Sequence, residues 1–600
     1  MMKNRYLSVL SAMMICLYSC SDFLEPQTDN TMSEDAVFAN AAYFCGPLMD
    51  AYDALTDSYD IAMDNMTDNS VSRNLSGDYY LCATGALSPD RNPLNNWVDG
   101  YRQIRRLNQF LSKMEFNPEA AIPTPVRFYK IATRQDSIDN VREYWRLYGE
   151  TFFLRAYYYS ELLRNFGGTT ANNEILGIPL IGDRVLEVTD DLKIPRASYA
   201  DCVKAIINDC DTAIKYLPVE YKGTDRVIGA SMNGRASGIS ARALKARVLL
   251  YAASPAFNPV NDVKLWEDAA IAAGEAIRSV EGGFQNLVNA PVSSATEDIG
   301  NAYYFSQLQN KDWNSNGRDL FFRAAVLTGN KLYENENYPP SMYGAALNNP
   351  SQNFVDAFPD KNGYPITESS VYDENKPYDN RDPRLALYVA FNGSKMGPGN
   401  YYTIESHTSG TDAYSPLRNT SRTSYYLRKL LRPKTVSLIP GATAAATQRT
   451  RIILGKPELY LNFAEAANEA WGVTGDPHQF GFTAKAVLEK LHLKYGAGNQ
   501  YLNNVIGNDQ NKFRDYIRNE RRLDLSFEEH RYYDLRRWIP DGKPDALNVE
   551  IYGTKITKNN DGTFSYERIL LEKRDFKSPW QPIPYMELYN ASLVQNAGWE

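Results

Sequence analysis

Apolar residues recur every three or four positions through residues 33–282, which predicts a succession of amphipathic helices. Ser33 is placed to cap a first helix carrying Val37, Ala41, Phe44, Leu48 and Tyr52, with Asp35 near its positive end. A second, over 94–114, puts Trp97, Tyr101, Ile104, Leu107 and Leu111 on one stripe. A third carries Tyr144, Leu147, Tyr148, Thr151, Phe152, Arg155, Tyr158 and Leu162 and stops at Gly167-Gly168. Two more follow at 199–217 and 235–254. In the latter, small Ala236, Ala243, Ala246 and Ala253 allow close approach of a neighbour, and Ser254-Pro255 ends it. An alanine-rich helix covers 266–277. From about 283 to 455 the period dissolves into Asn, Gly, Pro, Ser and Tyr, and helices return at 458–471, 482–495 and 509–538.

The pattern predicts a mainly α fold, a tetratricopeptide-like helical scaffold bearing an irregular, loop-rich lobe. An irregular helical bundle is the plainer alternative. Loops as long as the central stretch are either functional or disordered, and its aromatic content argues against disorder. It reads as a lobe built onto the scaffold, although 600 residues alone would suggest several domains.

Composition narrows the partners. A formal charge of −8 and a pI near 5.4 provide no basic field for a polyanion, so nucleic acid is not an expected ligand. Cys45, Cys82, Cys202 and Cys210 match no zinc or redox spacing and read as buried free thiols or one disulfide at most. The 42 tyrosines supply many flat faces with a polar edge. At the start, basic Lys3 and Arg5, apolar 7–17 and small Ser19 before Cys20 have the order of a secretory signal, too short to span a bilayer. Leu17-Tyr18-Ser19-Cys20 resembles a bacterial lipobox, with bulky Tyr18 departing from its strictest form. That assigns 1–19 as signal peptide, Cys20 as the lipidated residue and 20–32 as a flexible tether. An ordinary secretion signal with an incidental cysteine is the alternative.

The segment from Phe513 to Trp538 is dense in charge yet carries Phe513, Ile517, Leu523 and Phe527 on a stripe. It reads as a solvated helix face supported by the pairs Asp515 with Arg518, Glu528 with Arg531 and Asp534 with Arg537. A catalytic role for Glu520, Arg521 and Asp534 is the lesser reading. Its stretch FEEHRYYDLRRW closely resembles the signature of the SusD/RagB family of Bacteroidetes outer-membrane lipoproteins. Further matches lie in FLRAYYY from Phe153, Gly177-Ile-Pro-Leu-Ile, Gly234-Arg-Ala-Ser, ALKARVLLYAASP from Ala243, FVDAFP from Phe354 with Asn362-Gly363, DNRDPR from Asp379, YLNFAEA from Tyr460, and the ending PIPYMEL with QNAGW. The resemblance implies one globular unit, with a SusD-like helical half over 33–300 and a RagB/SusD-like half with the ligand-binding lobe over 301–600. It also implies a lid on a SusC-like TonB-dependent barrel in the outer membrane, lipid-anchored and exposed at the cell surface, capturing oligosaccharides or, in some members, peptides. Ser21, Asp22 and Glu25 behind Cys20 weakly resemble the family's surface-export signal.

A sugar ring presents apolar C–H faces and a polar rim, so a glycan site needs aromatic platforms among Asn, Asp, Gln and Arg. Two regions, 64–97 and 303–318, offer that mixture. Trp313, Tyr303, Tyr304 and Tyr80 are the expected platforms, with Asp68, Asn69 and Arg73 as polar partners; Trp97, on a helical stripe, is expected in the core. Any single aromatic could equally be a packed core residue. No Walker A loop, GxGxxG, GxSxG or HExxH occurs, and only four histidines are present, so no enzyme, cofactor or His-rich metal site is expected; a divalent cation on loop oxygens leaves no sequence spacing and stays open. A glycoside hydrolase remains the minor rival, since paired carboxylates leave no sequence spacing.

Overall fold

The computed structural model describes residues 33–187, 189–191, 193–280, 282–287, 320–328, 331–432, 438 and 448–600. The described residues are mainly helical, with strands confined to small two-stranded sheets. The principal helices are α1 (Gly46–Asp53), α2 (Trp97–Ser112), α3 (Arg134–Phe166), α4 (Tyr199–Tyr216), α5 (Gly238–Ala253), α6 (Val263–Ser279), α7 (Lys456–Trp471), α8 (Ala484–Tyr495), α9 (Gln510–Asp524) and α10 (Arg531–Arg537).

Local chemistry sets several boundaries. Ser33 does accept from the Ala36 N–H, but the expected first helix is broken into three pieces. Extended Asn40 caps the second piece through Ala42, and Pro47, lacking an N–H, begins α1. Helix α3 starts ten residues before its apolar stripe because Thr133 and Asp136 form a reciprocal capping box, so its polar first turns hold without core contact.

From α2 to α7 each helix packs on the next, and α7 also carries α8 and α9. Small residues set the spacing. A Cβ on Gly100 of α2 would lie 2.8 Å from Leu162 of α3, so only glycine admits that crossing. Arg155 on α3 reaches Asp209 of α4 at 2.7 and 2.8 Å and Asn108 of α2 at 2.9 Å, fastening three helices at one buried point. One apolar core contains Leu107, Phe153, Ile206, Leu244 and Ile277 together with Leu461, Leu488 and Phe513, so the returning helices complete the scaffold begun by the first half. Strands β2 (Leu320–Arg323) and β4 (Ile452–Gly455) pair antiparallel beside it, Phe322 opposite Leu454.

The lobe has its own core, built of Tyr338, Met342, Phe354, Phe358, Tyr388, Tyr426 and Phe527. Strand β1 (Ser70–Ser72) pairs antiparallel with β3 (Asn348–Pro350), Val71 opposite Asn349, which stitches the 64–80 loop to the lobe. A long hairpin of β5 (Glu550–Lys558) and β6 (Phe564–Lys573) flanks it. The cysteines at 45, 82, 202 and 210 are free; all but the half-buried Cys45 are buried.

The charged segment departs most from expectation. It is not one helix: Phe527 at φ 60° and Glu529 at φ 66° break it between α9 and α10. Nor is it a solvated face. Glu520, Arg521, Asp534 and Arg537 are each at most 1% exposed. Asp534 pairs with Arg537 at 2.8 Å as expected, but Glu528 pairs with Lys429 at 2.8 Å and Arg531 with Asp68 at 2.9 Å. Arg537 also grips Glu465 of α7 at 2.6 Å, and Glu520 binds Arg384 of the lobe at 2.7 Å. Burying so many charges is tolerable only because each is paired and hydrogen-bonded. A structural role for Glu520, Arg521 and Asp534 therefore stands: Glu520 joins α9 to the lobe through Arg384, and Arg521 and Asp534 join α9, α10 and α7.

Candidate functional site

The loop preceding β1 carries two of the sequence-predicted polar partners, and both face inward. Asp68 receives Arg531 through two bonds of 2.9 and 3.0 Å and lies 3.0 Å from Arg522. Burial works against its charge, but the two guanidiniums outweigh it and hold the carboxyl well below the usual carboxylate range. Asn69 is fully buried; it donates to Asp64 at 3.0 Å and accepts from Arg522 at 2.8 Å. Burial pushes the Asp64 carboxyl up to about 6, opposed by bonds from Asn69 and the Phe527 N–H. Asp68 and Asn69 therefore anchor the loop onto α9 and α10, Asn69 fully buried and Asp68 half-buried with its carboxylate held by two arginines. The arginines that claim them lie some 450 positions along the chain, which no local pattern could reveal.

Arg73 and Tyr80 sit differently. Both are half-buried and follow β1, Tyr80 on a short helix (Asp78–Ala83). The Arg73 N–H donates to the Leu347 carbonyl at 2.9 Å, while its side-chain Nε has no partner. Arg422 lies 5.8 Å from the Tyr80 ring centroid and donates to the Ser72 carbonyl at 2.9 Å and to Glu572 of β6 at 2.6 Å. Arg574 donates to the carbonyls of Thr67 and Ser70 at 2.8 and 2.6 Å, so the hairpin braces the loop from behind. Between them, Ser72 and Asn74 fold residues 72–76 into a side-chain-bonded turn with exposed Leu75 at its tip. Arg422 and Glu572 were not foreseen from sequence; neither lies in a distinctive motif.

The structure thus sets Tyr80 beside Arg422, which holds Glu572 and the carbonyl of Ser72, the residue before Arg73: guanidinium donors, a phenol ring and an acidic neighbour against one stretch of chain. Such a grouping can hydrogen-bond and stack, and it presents no aligned nucleophile and base. Tyr303, Tyr304 and Trp313 lie outside the described residues. Trp97 is in the core, 4% exposed and edge-on to Phe166 at 4.9 Å, as its helical stripe predicted. Among the described residues no helix is long and apolar enough to cross a membrane.

With this fold and grouping in view, comparison with known proteins defines the class. Residues 303–599 match the model of the SusD family, and residues 22–250 match a model described as starch-binding, associating with the outer membrane. Among solved structures, the chain is similar to a SusD-like protein from Bacteroides fragilis at 23% identity and TM-score 0.69, covering 94% of this chain and 99% of that one. It is also similar to a SusD-like carbohydrate-binding protein of the same organism at 19% identity and TM-score 0.63, over 94% and 100% of the two chains. A SusD superfamily protein from Parabacteroides distasonis matches at 16% identity and TM-score 0.57, over 95% and 100%. No curated protein sequence matches the chain. The two family matches between them take in both halves of the molecule, and the chain belongs to the SusD family.

Proposed function

We propose that this protein is a glycan-binding lipoprotein of the cell surface, anchored in the outer membrane through Cys20. It captures oligosaccharides and delivers them to a SusC-like TonB-dependent barrel, without bond chemistry of its own. The observation that carries the reading is the match of 22–250 to a family described as starch-binding and associated with the outer membrane. The pairing of Tyr80 with Arg422 supports it, since it combines a ring with fixed hydrogen-bond donors in the way a sugar's C–H face and hydroxyl rim require. Tyr303, Tyr304 and Trp313 are proposed to complete the aromatic platform. Closure over the barrel would be driven by contacts the ligand makes only in the closed state.

Titration calorimetry against a panel of oligosaccharides and peptides tests this. Saturable binding of a glycan, weakened roughly tenfold by Tyr80→Ala through loss of one aromatic contact, is the expected result. Tight peptide binding with no sugar signal would overturn the glycan assignment, and product release from any glycan would overturn the non-catalytic one. Cys20→Ala should release the protein from the membrane fraction while leaving affinity unchanged.

A further inference from the structure

Away from Tyr80 and Arg422, a cavity of about 490 Å³ opens between the N-terminal half of α2, the last turns of α3, the loop carrying Thr56 and Asp60, and the break between α9 and α10. Its charges are matched almost completely. Glu161 is bound by Arg164 at 2.5 Å, Glu529 by Arg451 at 2.5 Å, and Asp99 by Arg102 at 2.5 Å. Arg164 also stacks 4.0 Å from the Tyr533 centroid. Asp60 is the remaining acid: it accepts the Tyr79 hydroxyl, and burial raises its carboxyl to about 6.

Against this balanced frame stand polar groups with unused capacity. Among the described residues the Tyr157 hydroxyl meets no protein partner; the residue is 5% exposed and its ring is fixed by edge contacts to Tyr158 and Phe322. Gln103, 3% exposed, accepts from Arg106 at 3.4 Å, and among the described residues its amide nitrogen donates to no protein group. The Arg164 Nε is buried without a partner. One buried donor without a partner, and a hydroxyl and an amide that open on the same void, give a ligand several groups to hydrogen-bond.

We infer that this cavity is a second binding site, for a neutral saccharide of one or two rings. An anion would meet Asp60 and find every arginine of the lining already paired with an acid. A hydroxyl both donates and accepts, so it can bridge the carboxylate of Asp60 or Glu161 to the Tyr157 hydroxyl or the Gln103 amide. The volume lies in the lower part of the range of small-ligand sites, about 300–1,000 Å³, which suits a short end of a glycan and not a long chain. The inference rests on the glycan reading of the protein but concerns different residues.

Calorimetry on the purified chain with glucose, galactose, N-acetylglucosamine, maltose and lactose, alongside longer oligosaccharides, tests it. At least one short sugar should bind, and about fivefold more weakly in Tyr157→Phe, the loss of a single hydrogen bond. Gln103→Leu provides a second reading should Tyr157→Phe fail to melt as the parent does. Longer glycans that bind while no short sugar does, or short sugars that bind both cavity variants as they bind the parent, would overturn the cavity and leave the surface site standing. Absence of binding by any saccharide would overturn both.

Discussion

The α4–α6 stack of the scaffold and the seam between scaffold and lobe are held by opposite means. Between α4, α5 and α6 the contacts are alanine, leucine and isoleucine, with Ala246, Ala270 and Ala273 fully buried and helices brought close by the lack of side chain. Where α9 and the break after it meet the lobe, Arg384 and Lys429 of the lobe, both without exposure, bind Glu520 and Glu528, and behind them Arg521 and Arg537 tie α9, α10 and α7 together. Apolar packing tolerates small shifts because it has no direction, whereas a bidentate guanidinium fixes both distance and angle. The lobe has few long elements to key into a helix groove, so directional bonds set its position.

The largest effect should therefore come from the seam. Arg384 donates to Asp382 at 2.8 Å and to Glu520 at 2.7 Å with no solvent exposure, and burial opposing its charge is outweighed by those two acids. Arg384→Leu should destabilise the protein by about 3–5 kcal/mol, because it leaves buried carboxylates unpaired. Adding Glu520→Leu should recover part of that loss in urea unfolding. If the double variant is as unstable as the sum of two singles, the pair is not the unit that matters.

A pH readout sharpens the same contrast by about 3 kcal/mol. Burial lowers His530 to about 4, with Arg247 and Arg521 adding to the effect and Glu458 and Asp534 opposing it. The unfolded chain then binds a proton below about pH 6.5 that the folded chain refuses. His530 thus contributes stability in full above that pH and loses it as the pH falls toward 4. At about 1.4 kcal/mol per unit, that is about 3 kcal/mol across the window. The difference in unfolding free energy between the parent and His530→Asn, followed from pH 7 to 4, should show this slope; a flat difference would mean that His530 titrates normally.

How much of this was legible in the sequence follows the same division. Helices α2 to α8 announced themselves because their stability comes from a periodic apolar face, and Ala243 and Ala246 marked the close contact correctly. Gly167 ended α3 where expected. The segment after Phe513 misled because charge is usually a sign of solvent, and nothing local distinguishes an arginine at the surface from one reaching Glu465. The candidate site suffered likewise. Arg73 and Tyr80 remain partly exposed, but Asp68 and Asn69 were claimed by Arg522 and Arg531, partners set by tertiary contact alone.

Within the scaffold, effects should be smaller and of another kind. Ala246 has no exposure and sits on α5, which packs against α4, α6 and α7. Ala246→Leu should cost about 1–3 kcal/mol through overpacking. Because the apolar contact has no direction, the helices can yield slightly, so the loss should stay below that of Arg384→Leu. An equal or larger loss in thermal unfolding would erase the distinction between the two regions.

The smallest effect belongs to the start of α3, which owes its first turns to neither core nor seam. Thr133 accepts from the Asp136 N–H at 3.3 Å, and the Asp136 carboxylate receives the Thr133 N–H at 2.8 Å. The same carboxylate takes Arg226 at 2.7 Å. Thr133→Ala should cost about 1 kcal/mol, and hydrogen exchange should quicken across residues 134–139 alone, since Tyr144 and Leu147 pin the helix beyond that point. Exchange that quickens as far as Phe153 would mean that the cap supports the packed part of α3 as well, and that scaffold and local bonding are not separable there.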